Sequence, residues 1–372
     1  MSFIKTILGV GVLVALSLSA QNPGAQGEKA YFWFRMWPGQ LVKYDIEKDE
    51  VALQVESPGG VAHGMQLSHD RSKFFLITNQ KSTIESYDSV TGEFLEQYNF
   101  AEPGYIIRID QVRELPGGTH WYVKIDKVKR ETDHFKVEEA EWLLYDHAEW
   151  HVDKRMKKLP KEIGRSARIS PDGTKWHVMG KDITILDPKT LKEEGKIELS
   201  KPLYTGMGPI SVRGEDFYDW QNPKAYKMIY RMRDPVKKDR SLGGIVEIDL
   251  VENKIAKLTE WGASLRSRRL FMTRDKKLGI GTKSTGERRE QSDGDDPVAT
   301  LINYDLETGK KLLETRVEVR NGLNLAGISP DGTKIYFMGR GHELVIFTGE
   351  HVYLKTVDLG GEVDGRLTLL YE

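Results

Sequence analysis

The sequence contains no cysteine. That single absence excludes disulfides, thiolate-bound zinc, iron–sulfur clusters, c-type haem attachment and thiol nucleophiles together. An excess of charge is also missing. Lys and Arg number 55 against 56 Asp and Glu, a formal charge of -1, so the basic surplus of a nucleic-acid binder is absent. There is no HExxH metalloprotease motif and no GxSxG nucleophile elbow. Long amphipathic helices are absent too; only residues 130–141 leave room for a short one. One apolar run is present, at residues 7–18, and it is short for a bilayer-spanning helix of about 20 residues.

That run follows Lys5 and leads to Ser17, Ser19 and Ala20. A short charged region, an apolar stretch and small residues have the form of a secretory signal; an N-terminal membrane anchor is the alternative. The expected division is a signal peptide over 1–20, a linker over 21–29 and one folded domain over 30–372. Export without cysteine suits a periplasmic or secreted protein that needs no disulfides, with no membrane contact after signal cleavage.

What the chain has in quantity is turn formers, with 36 Gly and 14 Pro, and a repeat. An apolar strand ends in Asp, a turn follows, and a second strand begins. The pattern occurs at Asp45, Asp88, Asp146, Asp187, Asp249 and Asp305, with Thr348 in the Asp place of a seventh unit. Asp can bond the backbone of its own turn, and Gly92 and Gly309 can supply positive φ. A second hairpin precedes most of these units. Residues 167–180 and 326–339 are near copies around Ser-Pro-Asp-Gly, and 65–78 and 270–282 are looser versions. Two hairpins per unit make four strands.

Seven four-stranded units spaced by 41–62 residues predict an all-β fold, a seven-bladed β-propeller of antiparallel blades. Residues 31–37 and 366–372 are lone strands at the two ends. Placed in one blade, they close the ring and remove two exposed sheet edges. Aromatics such as Phe32, Phe74, Trp121, Trp176, Tyr230, Tyr304 and Tyr336 fall on strands and are expected between blades.

In such a ring the start of each inner strand and the connection between the second and third strands share a face. Three of those connections are expected to be long: 124–140 in blade three, 221–244 in blade five and 283–297 in blade six. Long loops on a rigid scaffold commonly carry function, so this face is the expected partner face. Counting five residues back from the inner turns gives His63, Asp110, Arg165, Arg268 and Asn324, with Tyr105, Arg266 and Arg366 near them. These eight are the candidate binding residues of the channel mouth. The two arginines at 165 and 268 would suit a small anionic ligand or an acidic surface.

Catalytic chemistry is not legible. His147 and His151 are four apart, but in a hairpin turn rather than on a helix, so no metal site is expected from them. The DGDD run at 293–296 lacks the spacing of a calcium loop, and 279–286 lacks the strand–helix setting of a phosphate loop.

The repeated SPDGT and YDxxTG hairpins resemble those of the quinoprotein amine dehydrogenase-like (YVTN-type) propellers. The residues most like the β subunit of quinohemoprotein amine dehydrogenase are 133–146, 169–191, 228–234 and 243–254, followed by LINYDLETGKK and LAGISPDGTKIYFMGRGHEL. The resemblance covers roughly 30–370. It implies a non-catalytic scaffold subunit. In that family the quinone cofactor belongs to a small separate subunit and haem to another, so this chain would carry neither itself. The charged insertions and basic mouth depart from the family. A stand-alone propeller enzyme of lactonase or lyase type, or a general protein-interaction module, are the alternatives.

Overall fold

The computed structural model describes residues 29–115, 117–157, 167–170, 172–213, 223–237, 240–263, 267–283, 298–318, 324–338 and 342–371. The expected signal peptide, Arg165, Arg266 and most of 283–297 lie outside them.

Seven separate antiparallel sheets form. Blade one uses both chain ends, in the order β29 (Val363–Tyr371), β1 (Ala30–Met36), β2 (Gln40–Asp45) and β3 (Glu50–Glu56). Blade two is β4 (Gly64–Leu67), β5 (Lys73–Thr78), β6 (Thr83–Asp88) and β7 (Phe94–Asn99). Blade three contains β8 (Tyr105–Glu114), β9 (His120–Arg130), β11 (Glu141–Asp146) and β12 (His151–Met156), with an extra strand β10 (Phe135–Val137) on β9. Blade four is β13 (Ala167–Ile169), β14 (Trp176–Met179), β15 (Ile183–Leu186) and β16 (Glu193–Ile197). Blade five is β17 (Ser211–Arg213), β18 (Tyr226–Arg233), β19 (Ser241–Asp249) and β20 (Lys254–Ala263). Blade six is β21 (Ser267–Met272), β22 (Leu278–Lys283), β23 (Val298–Asp305) and β24 (Lys311–Glu318). Blade seven is β25 (Asn324–Ile328), β26 (Lys334–Met338), β27 (Glu343–Thr348) and β28 (Tyr353–Asp358).

The expected closure is present. Tyr31 pairs with Leu370, Phe32 with Leu369 and Trp33 with Thr368. Packing also runs around the whole ring. Separate apolar clusters join blades one and two, two and three, three and four, six and seven, and seven and one, and a larger cluster spans four, five and six. Every neighbouring pair therefore shares a core. Phe32, Phe74, Trp121, Trp176, Tyr230, Tyr304 and Tyr336 are all buried in it. Removing this apolar surface from water is the main favourable term holding the blades together.

The repeat chemistry is local. At each outer turn the Asp Oδ1 accepts two backbone N–H groups two and three residues on: for Asp88, from Val90 at 2.9 Å and Thr91 at 2.7 Å. Asp45, Asp146, Asp187, Asp249 and Asp305 do the same. In the inner turns a hydroxyl donates to an Asp two residues later, Ser68 to Asp70, Ser170 to Asp172, Thr273 to Asp275 and Ser329 to Asp331, at 2.5–2.6 Å. Gly173 and Gly332 there have φ of 70° and 75°, the left-handed region that favours glycine.

Two expectations need correction. Residues 130–141 form no helix: β9 runs on to Arg130 and turns back as β10. Pairing with the long β8 holds β9 extended, Tyr105 opposite Lys129 and Ile109 opposite Ile125. Much of 221–244 is likewise strand, because β18 and β19 pair from Tyr226↔Ile248 to Arg233↔Ser241. The connection between them is only 234–240. Among the described residues the only helical pieces are two three-residue 3-10 turns, Asn79–Lys81 and Pro223–Ala225.

Candidate channel-mouth site

The face at the inner-strand starts is irregular in its backbone. The register between first and second strands breaks at this level in blades one, three, six and seven: between Trp33 and Arg35, Ile109 and Gln111, Ser267 and Leu270, and Leu325 and Gly327. Such bulges re-aim side chains and concentrate at rims and sites. Asp110 is the extra residue of the blade-three break, Arg268 lies within that of blade six, and Arg366 within that of blade one.

His63 precedes β4, and its backbone N–H donates to the Ile77 carbonyl at 2.7 Å. Its side chain is exposed. Partial desolvation holds the imidazole below its usual range, helped by Lys81 and Arg35 and opposed by Asp364. Two cations, Lys81 and Arg35, and one carboxylate, Asp364, thus stand near His63. Arg35 itself is buried; it donates to the Ala62 carbonyl of blade two and to Asp364 Oδ2 at 3.1 Å. This guanidinium ties blade one to blade two immediately behind His63, a link no sequence pattern signalled.

Asp110 is exposed and pairs with Lys124 at 2.6 Å, so it is balanced by the neighbouring strand. Tyr105 stands five residues further out on β8, about 16 Å along the strand at about 3.3 Å per residue. It does not share the level of Asp110 or His63. Its ring carries the Lys127 ammonium 4.5 Å from the centroid, and Lys127 also pairs with Glu102 at 2.6 Å. Arg268, Asn324 and Arg366 are placed as strand positions only, and Arg165 and Arg266 lie outside the described residues.

The largest relief on this face is the extension of blade three. The outer halves of β8 and β9 with β10 make a three-stranded flap, Phe135 opposite Arg130 and Val137 opposite Val128. Phe135 and Val137 are 66% and 77% exposed, so the flap offers apolar side chains to water on an edge that no other described strand pairs. The β18–β19 connection, with Val236 85% exposed, lies on the same face.

On the opposite face, blade three carries a different group. His120 Nε2 lies 3.0 Å from Asp153 Oδ2 and 3.5 Å from Asp146 Oδ2, and His151 Nε2 lies 2.6 Å from Asp153 Oδ1. His147 does not join them. It is buried and stacked on Trp121, 4.3 Å between ring centres, and burial holds its imidazole below the usual range. The spacing of His147 and His151 in sequence therefore points to the wrong pair. The true neighbour, His120, comes from another strand and was invisible to local spacing.

No family model matches the sequence, and no curated protein matches it. Solved structures do. A functionally unknown protein from Desulfotomaculum acetoxidans DSM 771 is 10% identical with a TM-score of 0.50, over 92% of this chain and 98% of that one. Kuenenia stuttgartiensis hydrazine synthase is 14% identical at a TM-score of 0.46, over 86% and 97%. BamB from Moraxella catarrhalis is 13% identical at 0.42, over 87% and 84%. The first of these likenesses shows a shared fold and nothing more; the seven-bladed β-propeller is read from this chain's own seven sheets.

Proposed function

We propose that the protein is an exported, non-catalytic propeller that binds a protein partner on its channel-mouth face. The observation that carries this reading is the blade-three flap, a strand edge with no partner among the described residues, bearing Phe135 and Val137. A flap of this kind contributes nothing to closing the propeller, and exposed apolar residues on a sheet edge are the usual ground of strand-addition contacts. Lys81 near His63, with Arg35 already paired to Asp364, suits an acidic patch on the partner or a small anionic ligand. The N-terminal sequence supports export to the periplasm or outside the cell. The resemblance in the hairpins supports a scaffold subunit in a complex like quinohemoprotein amine dehydrogenase, with quinone and haem held by partner subunits.

The test is isolation of the tagged protein from the periplasmic fraction of its native cells, with co-purifying chains examined for haem absorbance and quinone-dependent redox staining. A stoichiometric partner retained by the wild type and lost from F135D/V137D supports the reading. Recovery only from the cytoplasm, or a partner indifferent to both substitutions, overturns it.

A further inference from the structure

The propeller repeat provides seven versions of one local frame. In each, the third strand ends at the turn residue, the fourth strand returns beside it, and a bulge one step in leaves one residue unpaired. The unpaired residue is Ala52, Leu95, Glu194, Ala256, Leu312 or Leu354 in six blades, and Asp153 in blade three. In blade three alone this frame also holds histidine on both flanking strands. His120 lies opposite Asp146 on one side, and His151 opposite it on the other. Two imidazoles and two carboxylates therefore meet at a place where the flanking strands of the other blades set no histidine opposite the turn residue. The fold does not need this group, since the same turn closes without it elsewhere.

The geometry points to a divalent transition-metal site with His120 Nε2, Asp146 Oδ2 and Asp153 Oδ2 as ligands. These three atoms lie within 4.8 Å of one another. The two nitrogen–oxygen separations of 3.0 and 3.5 Å bracket the spacing of about 3.3 Å between ligand atoms in a tetrahedral shell with bonds of about 2.0–2.1 Å. Each ligand is held from behind. Thr119 Oγ1 is 2.8 Å from His120 Nδ1; accepting the Nδ1 proton there, it leaves the Nε2 lone pair facing both carboxylates. Asp146 Oδ1 is fixed by the N–H groups of Ala148 and Glu149 at 2.9 and 3.0 Å, which turns Oδ2 inward. His151 holds the outer oxygen of Asp153. Ligands oriented by such outer contacts are characteristic of metal sites. His120 and Asp146 are half-buried and Asp153 is exposed, which leaves a path for the ion and a position for water. An imidazole with carboxylates selects zinc-class ions over calcium or magnesium, which favour oxygen alone.

Isothermal titration of the EDTA-treated protein with Zn²⁺ tests this. One equivalent is expected to bind with Kd of about 10 µM or tighter, and Ca²⁺ should not compete at a hundredfold excess. H120Q and D153N should each weaken binding at least about tenfold, and T119V by about tenfold through the lost orientation. H134Q, at an exposed histidine paired with Asp133 elsewhere, should leave it unchanged. Asp146 is spared because it closes its turn, and circular dichroism confirms that each variant is folded. No binding below about 100 µM, binding indifferent to H120Q and D153N, or Ca²⁺ binding as tightly as Zn²⁺ would overturn the assignment.

Discussion

Tyr31 and Leu370 lie opposite each other in one antiparallel ladder, although 339 positions separate them. The C-terminal strand β29 is the innermost strand of blade one, and the N-terminal strand β1 is its neighbour. The two ends of the domain therefore close the ring through hydrogen bonds, and the cluster containing Phe32, Phe34 and Tyr336 packs that blade on blade seven. Closure makes the propeller a rigid frame from which the mouth face and its flap can be presented.

Deleting residues 363–372 should unfasten this ring. It leaves the edge of β1 unpaired, strips Asp364 from Arg35 and exposes apolar surface on two blades. The truncated protein is expected to aggregate or to lose its cooperative melt. A monodisperse truncation by size-exclusion chromatography with an unchanged melting temperature would show that closure is not what stabilises the ring.

Gly332 tests the inner turn. Its φ is 75°, and an added Cβ would lie 2.8 Å from both Leu278 Cδ2 and Thr273 Cγ2 in blade six. G332A should cost about 1–2 kcal/mol from the left-handed backbone alone, and G332V more. Urea denaturation reads the loss; variants as stable as wild type would remove the turn from the account.

His351 predicts a pH response. Its Nε2 lies 2.7 Å from Asn303 Oδ1, while Asn303 Nδ2 donates to the Gly349 carbonyl at 2.9 Å. The amide is fixed with its oxygen toward the ring, so Nε2 carries the proton and donates. Burial pushes this imidazole down to about 4, against a small opposing pull from Glu350. The unfolded chain binds a proton near the ordinary value of about 6.5, so between those values it holds more protons than the native state. Stability from this group is complete above about 6.5 and falls as the pH drops toward 4. The loss should be of order 2 kcal/mol. H351Q should show a smaller drop between pH 7 and pH 4.5 in urea titrations, and an identical drop would deny His351 the role.

The parts of the fold written in short-range chemistry were legible. Asp88 with Thr91, and Ser329 with Asp331, bond over two or three residues, so their turns could be read directly and strand count and closure followed. Blade three was not legible in the same way. The β9 segment KIDKVKR carries five charged residues, and its extended form depends on β8 and on Lys127 finding Tyr105 and Glu102, contacts made across 22 and 25 positions. Of the mouth residues, Tyr105, Asp110, Arg268, Asn324 and Arg366 fall on strands and His63 just precedes one. Their partners were not legible, because Arg35 and Asp364 reach His63 from another blade. The histidine group failed for the same reason: His120 meets Asp146 and Asp153 only after β9, β11 and β12 align.

The central claim is that the channel-mouth face, led by the blade-three flap, is the partner surface. Hydrogen exchange of the protein alone and in its isolated complex tests it most directly. Protection is expected in β10, the outer half of β9 and the β18–β19 connection, with the Asp88 and Asp305 turns on the opposite face unchanged. Protection confined to those opposite turns, or none at β10, would contradict it.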